Sequence, residues 1–126
     1  MRFLGIDYGT KRVGLSLSDE SGAMAFPLIV LNNDDQLLNK IGQIIEEKKV
    51  AEIVIGHSLG RDGAANPLHT AVEELIGDLT LHFGLPIHLE PEQYSTQEAL
   101  RDQGRTPQTD ASAAAIILNS YITRKR

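Results

Sequence analysis

The sequence predicts an α/β domain built on a mixed sheet, and three observations carry that reading. Extended segments come first, over 3–6, 13–18 and 23–31, and strand and helix signals alternate after them, in the order β-β-β-α-β-α-β-α-α. Ile53-Val54-Ile55-Gly56 is a short, wholly apolar run of the kind found in a strand covered on both faces, so helices are expected on both sides of the sheet. The length, 126 residues, suits one domain over 1–126 with room for a core but not for two lobes.

In chain order, Phe3-Leu4-Gly5-Ile6 is the first strand, and the strict alternation of Val13-Gly14-Leu15-Ser16-Leu17-Ser18 marks the second. Ala23 to Leu31 is apolar but interrupted by Pro27, which suits an edge strand or a bulge. Asn32-Asn33-Asp34-Asp35 offers several helix caps, and Leu37, Leu38, Ile41, Ile44 and Ile45 then recur at helical spacing, predicting a helix over 34–49. A turn-rich loop over 57–65 leads to Asn66 as cap and Pro67 at the first helical position. Leu68, Val72, Leu75, Leu79 and Phe83 form the stripe of that second helix, which Gly84 and Pro86 end. Leu85 to Leu89 reads as a further strand. Ser95 to Glu98 has capping-box spacing for a helix ending near Gly104, and Thr109 can cap a last helix with Ala113, Ala114, Ile117 and Tyr121 inward.

Composition narrows the function. There are no cysteines, so disulfides and thiolate metal sites are excluded, and no signal-peptide or membrane-spanning pattern is present, so a soluble cytoplasmic protein is expected. Twelve basic against 17 acidic residues give a net charge of −5, unlike a general nucleic-acid coat protein. Carboxylates that hold divalent metal would be partly neutralised by it, so a nucleic-acid enzyme is compatible with that balance. Lys11, Arg12, Arg61 and Arg105 are the basic residues placed in turns and loops where they could contact nucleic acid; Arg101 is a further loop arginine.

Asp7-Tyr8-Gly9-Thr10-Lys11-Arg12-Val13-Gly14 is a tight turn between two strands, with a carboxylate at a strand end beside glycines, a hydroxyl and an ammonium. That combination suits a metal ion and a phosphate ester. In open α/β sheets, sites lie beyond the carboxyl ends of strands, and Glu90 and Glu92 follow the Leu85 to Leu89 segment at a second such end. Asp110 falls at the start of the last helix, where the positive end of the dipole tolerates a carboxylate. Together such groups could hold one or two Mg²⁺ or Mn²⁺ ions for phosphodiester hydrolysis. Solvated surface carboxylates would give the same spacing. His57 and Ser58 are neighbours on a loop and seldom could face one another as base and nucleophile, while His69, His82 and His88 are scattered.

The sequence resembles the YqgF/RuvX family of candidate Holliday junction resolvases and candidate pre-16S rRNA nucleases. The resemblance rests on Gly5-Ile6-Asp7-Tyr8-Gly9-Thr10-Lys11-Arg12-Val13-Gly14, Ile53-Val54-Ile55-Gly56 with Asp62-Gly63, Phe83-Gly84-Leu85-Pro86-Ile87, Glu92 with Ser95-Thr96 and Glu98-Ala99, and Asp110-Ala111 with the helix after it. It implies a ribonuclease H-like fold with sheet order 3-2-1-4-5. It also implies a hydrolase in which Asp7, Glu92 and Asp110 are catalytic, metal-binding carboxylates, and Thr10 and Lys11 assist at the scissile phosphate.

Two departures bear on activity. The family's Asp-Glu-Arg reads Pro91-Glu92-Gln93 here, so an arginine able to pair with the glutamate or contact phosphate is a neutral amide. The family's Gly-Leu-Pro-Leu-Asn reads Gly56-His57-Ser58-Leu59-Gly60. Expected partners are nucleic acid, as an rRNA precursor or branched DNA, and a second copy of the chain if a junction is cut symmetrically. Two other classes fit parts of the sequence: a nucleic-acid or protein-binding module keeping the scaffold with weakened catalysis, and an ATP-binding phosphotransfer protein, whose phosphate turn is similar. The latter needs two lobes, and this chain supplies one.

Overall fold

The computed structural model describes residues 1–9, 11–57, 67–91 and 107–125, with backbone only for 57, 67–69, 91, 107–110 and 125. Five strands, β1 (Arg2–Tyr8), β2 (Arg12–Ser18), β3 (Ala25–Asn32), β4 (Val50–His57) and β5 (Ile87–Pro91), form one sheet in the order β3-β2-β1-β4-β5. The described helices are α1 (Leu37–Lys48), α2 (Pro67–Phe83) and α3 (Pro107–Lys125). β1 pairs antiparallel with β2 and β2 with β3, whereas β1 with β4 and β4 with β5 are parallel. Short turns can only reverse the chain, so the first three strands form a meander; the later parallel strands follow helical crossovers. This is the order that the resemblance implies.

The strand alternation divides the side chains between two faces. Leu4 and Ile6 of β1, Val13 and Leu15 of β2 and Ile53 and Ile55 of β4 point toward α1 and α2, where Leu37, Ile41, Ile45, Val72, Leu75 and Leu79 meet them. Phe3 and Val54 point the other way, against Ile117, Leu118 and Ile122 of α3. All four residues of the apolar run 53–56 are buried, as a strand between two helical layers requires.

The edge strand behaves as Pro27 predicts. Its pairing with β2 slips between Leu15 and Ser16, leaving Leu28 between the Ser16–Pro27 and Leu15–Ile29 pairs. Phe26 and Ile29, on the face of α1 and α2, stay 52% and 44% exposed because those helices lie over the other strands.

Boundaries differ from the expectation at several element ends, most instructively in α1 and β5. α1 starts at Leu37, not at 34, because Asp34 closes a turn of its own: its Oδ1 accepts from the Gln36 amide at 2.9 Å, and Gln36 caps the helix without a side-chain bond. The helix ends on Lys49, whose left-handed backbone (φ 54°) presents its amide to the Ile45 carbonyl. The fifth strand is Ile87–Pro91 and not Leu85 to Leu89: the Ile53 amide donates to the Pro86 carbonyl at 2.9 Å, and the ladder with β4 opens at the Ile53–Ile87 pair. α2 runs from Pro67 to Phe83 as expected, and Gly84, at φ 66°, donates its amide to the Thr80 carbonyl at 3.0 Å. The helix expected from Ser95 to Gly104 lies outside the described residues. No described helix is long and apolar enough to cross a membrane.

Candidate active site

Asp7 is the penultimate residue of β1, half-buried, at the carboxyl end of the central strand. It faces α3, as Gly5 does two residues earlier. Its partner on β2 is Gly14, and Gly56 of β4 lies one residue beyond the Ile6–Ile55 pair. Gly56 in turn pairs with Glu90 of β5, and Gly14 with Val30 of β3. Across this row the residues are Val30, Gly14, Asp7, Gly56 and Glu90. The central carboxylate is therefore flanked on both sides by positions without a side chain, and both glycines are buried.

α3 runs antiparallel to β1 over this face. A Cβ built on Gly5 would lie 2.9 Å from the Leu118 Cβ and 3.1 Å from the Ala114 carbonyl oxygen, so strand and helix touch there. Farther along, the Phe3 and Tyr121 rings meet edge to face at 6.0 Å. Four helical residues back from Ala114 is Asp110; that step is about 6 Å, close to the two strand residues between Gly5 and Asp7. The first turn of α3 thus comes level with Asp7, and Asp110 sits on it.

The same face carries buried polar groups. The Ser16 hydroxyl donates to the Ala114 carbonyl at 2.8 Å, and Asn119 exchanges two hydrogen bonds with the backbone of Ala25, tying α3 to β2 and β3. Glu90, 3% exposed, accepts from the Ser120 hydroxyl at 2.7 Å and from the Arg124 guanidinium. Its burial follows from the two-residue shift of β5: it lies within the ladder and not in a loop after it. Glu52 and His88 pair at 2.6 Å, and the His88 ring stacks on Tyr121 at 5.0 Å. His88 is structural, as its scattered position suggested. Sequence spacing did not reveal these anchors, because their partners are more than 25 residues apart.

Lys11 is exposed and Arg12 half-buried, both at the β1–β2 turn above Asp7. Thr10, Arg61, Glu92, Gln93 and Arg105, and the loop from Ser58 to Asn66, lie outside the described residues. Among the described residues no group of three His, Cys, Asp or Glu side chains is placed to share a metal ion. Of the expected metal set, Asp7 is described in full and Asp110 in its backbone. Carboxylate oxygen donors of this kind fit a hard divalent cation.

A five-stranded mixed sheet in the order β3-β2-β1-β4-β5 with helices on both faces is the ribonuclease H-like class. Solved structures agree on the fold. A Thermus thermophilus RuvC in complex with a Holliday junction superposes with a TM-score of 0.65 at 17% identity, over 99% of this chain and 96% of that one. A fowlpox virus resolvase with junction DNA gives 0.64 at 9% identity, over 99% of each. The family described as RuvX, Holliday junction resolvase, matches residues 1–124, and the chain belongs to it. Relatives include a candidate pre-16S rRNA nuclease of Maridesulfovibrio salexigens, 37% identical over 98% of this chain and 99% of the relative. Another with that name, from Geobacillus kaustophilus, is 36% identical over the full length of both.

Proposed function

We propose that the chain is a metal-dependent endonuclease that hydrolyses phosphodiester bonds in structured nucleic acid, residues 1–126 forming a single nuclease domain. The observation that carries this reading is Asp7 at the end of β1, set between Gly14 and Gly56 under the first turn of α3. The family match and the names of the relatives support it.

Asp7, Glu92 and Asp110 are the residues we assign to hold Mg²⁺ or Mn²⁺. When bound, such ions activate water and stabilise the leaving oxygen of an in-line displacement. The chain's own groups do the rest. The Lys11 ammonium and Thr10 hydroxyl bind and orient the phosphate, and Arg12, Arg61 and Arg105 hold the flanking backbone. The positive end of the α3 dipole favours a carboxylate, and with it a cation site, at the start of that helix.

A structured rRNA precursor is the substrate that the relatives' names favour, with the protein acting in the cytoplasm. Branched DNA is the second reading, supported by the family description, and it requires two copies of the chain so that both strands are cut.

The test is cleavage of a labelled precursor-rRNA leader, a four-way DNA junction and a single-stranded control, each in Mg²⁺, Mn²⁺ or EDTA, with wild type and Asp7→Asn. Metal-dependent cutting absent from Asp7→Asn is expected, and the preferred substrate identifies the role. Cutting that persists in EDTA overturns the site. Binding without cutting in any metal replaces the nuclease with a binding module, whose first repair is Gln93→Arg.

A further inference from the structure

The β1–β2 turn is held from outside the hairpin. Immediately after β3, the Asn33 side-chain amide donates to the Gly9 carbonyl at 2.8 Å, and the Asn33 backbone amide donates to the Lys11 carbonyl at 2.9 Å. The two bonds fix the residues on either side of Thr10. The turn is tight as well: a Cβ on Gly9 would fall 2.5 Å from the Arg12 carbonyl oxygen, so a residue with a side chain does not fit there without a shift.

The sequence gives Asn33 an obvious alternative use as a helix cap, and the structure does not use it so. Asp34 makes the turn before α1, and Gln36 occupies the cap position without a side-chain bond. The Asn33 amide serves the β1–β2 turn. Asparagine suits the task, because the site needs a short side chain with an N–H donor beside a carbonyl, which aspartate at neutral pH lacks.

We infer that Asn33 is a positioning residue for substrate binding: its bonds to the Gly9 and Lys11 carbonyls hold the β1–β2 turn so that the Lys11 ammonium is presented to a phosphate of the nucleic acid. The inference rests on the role proposed above for that turn. A loose turn would still carry its phosphate-binding groups, but would have to order them on binding, which weakens affinity more than the chemical step.

The experiment compares the full-length wild type with Asn33→Ala and with Asn33→Leu, which keeps size but removes the donor. Each is also made in a Thr10→Ala/Lys11→Ala background. Cleavage of the labelled rRNA leader and DNA junction gives KM and kcat, and fluorescence anisotropy in EDTA gives binding of the same probes. Both substitutions are expected to raise KM and Kd roughly three- to tenfold with kcat within about twofold. They should also speed amide exchange over 9–12 while leaving it unchanged in α1. In the double-substituted background they should have no further effect on binding, because the groups positioned by Asn33 are gone. Equal losses in both backgrounds, or a fall in kcat with Kd unchanged, overturn the inference. If the wild type binds without cutting, the nuclease reading fails alone and Asn33 is judged on Kd. If it binds neither probe, both fail.

Discussion

The two faces of the sheet differ in chemistry. Toward α1 and α2 the core is aliphatic, from Leu4, Ile6 and Leu15 through Ile53 and Ile55 to Ile41 and Leu79. Toward α3 the apolar cluster is small, and Gly5, Ser16, Ser18, Glu52 and Glu90 are buried beside it. Aliphatic packing is non-directional and tolerates small slides of a helix, whereas hydrogen bonds from Ser16, Asn119 and Glu90 fix α3 at a particular register. The first face supplies most of the stability. The second holds α3 in place over the strand that carries Asp7.

Substitutions on each side should separate the two roles. Asp7→Asn is expected to lower the cleavage rate by at least about a hundredfold while the melting temperature stays close to wild type, as stopped-time cleavage and thermal unfolding would show. An active Asp7→Asn would remove the functional half of the contrast. Ile41→Ala, on the aliphatic face, should cost about 2–5 kcal/mol in denaturant unfolding. Cleavage per folded molecule should be unchanged.

Gly5→Ala tests the other face by overpacking it. The new Cβ would meet the Ser16 Oγ at 2.3 Å and the Leu118 Cβ at 2.9 Å, so α3 must shift, at about 1–3 kcal/mol. Here cleavage should fall further than the folded fraction does. If it tracks the folded fraction, the register of α3 does not matter to the chemistry. Lys49→Gly, far from the site, should raise stability by about 0.5–1 kcal/mol in the same unfolding assay by relieving the left-handed backbone, with no change in cleavage.

The smallest effect should come from the β2–β3 turn, which belongs to neither face. The Ser21 hydroxyl, and then the amides of Ala23 and Met24, hold the Asp19 carboxyl down from the ordinary 3.8 to about 2. A depressed carboxyl stabilises the fold above its unfolded pKa, and that contribution is lost as pH falls toward the folded value. Wild type should therefore melt above Asp19→Asn at pH 7, and the gap should close between about pH 4 and pH 2.

Much of this was written locally in the chain. Pro27 announced the edge strand and its slip, 53–56 announced a strand covered twice, and Pro67 and Gly84 bracketed α2, because each acts on its own backbone. Asp7 was visible for the same reason, as a carboxylate at a strand end before glycines. Strand order came from the family resemblance, since local patterns do not say which strands pair. What escaped was non-local. Asn33 was indistinguishable from a helix cap until the turn it holds was folded beside it. Glu90 looked like a loop carboxylate because the pairing with β4, which places β5 at Ile87–Pro91, cannot be read from the segment itself. The flanking of Asp7 by Gly14 and Gly56 needs three strands in register to be seen.

α3 touches all five strands and joins the chain last among the described elements. During synthesis the meander, α1, β4, α2 and β5 can all form while one face of the sheet still lacks its cover. If Asp110 acts with Asp7 as proposed, the chain gains hydrolytic competence only once the residues of α3 have emerged from the ribosome, so activity is coupled to the order of translation.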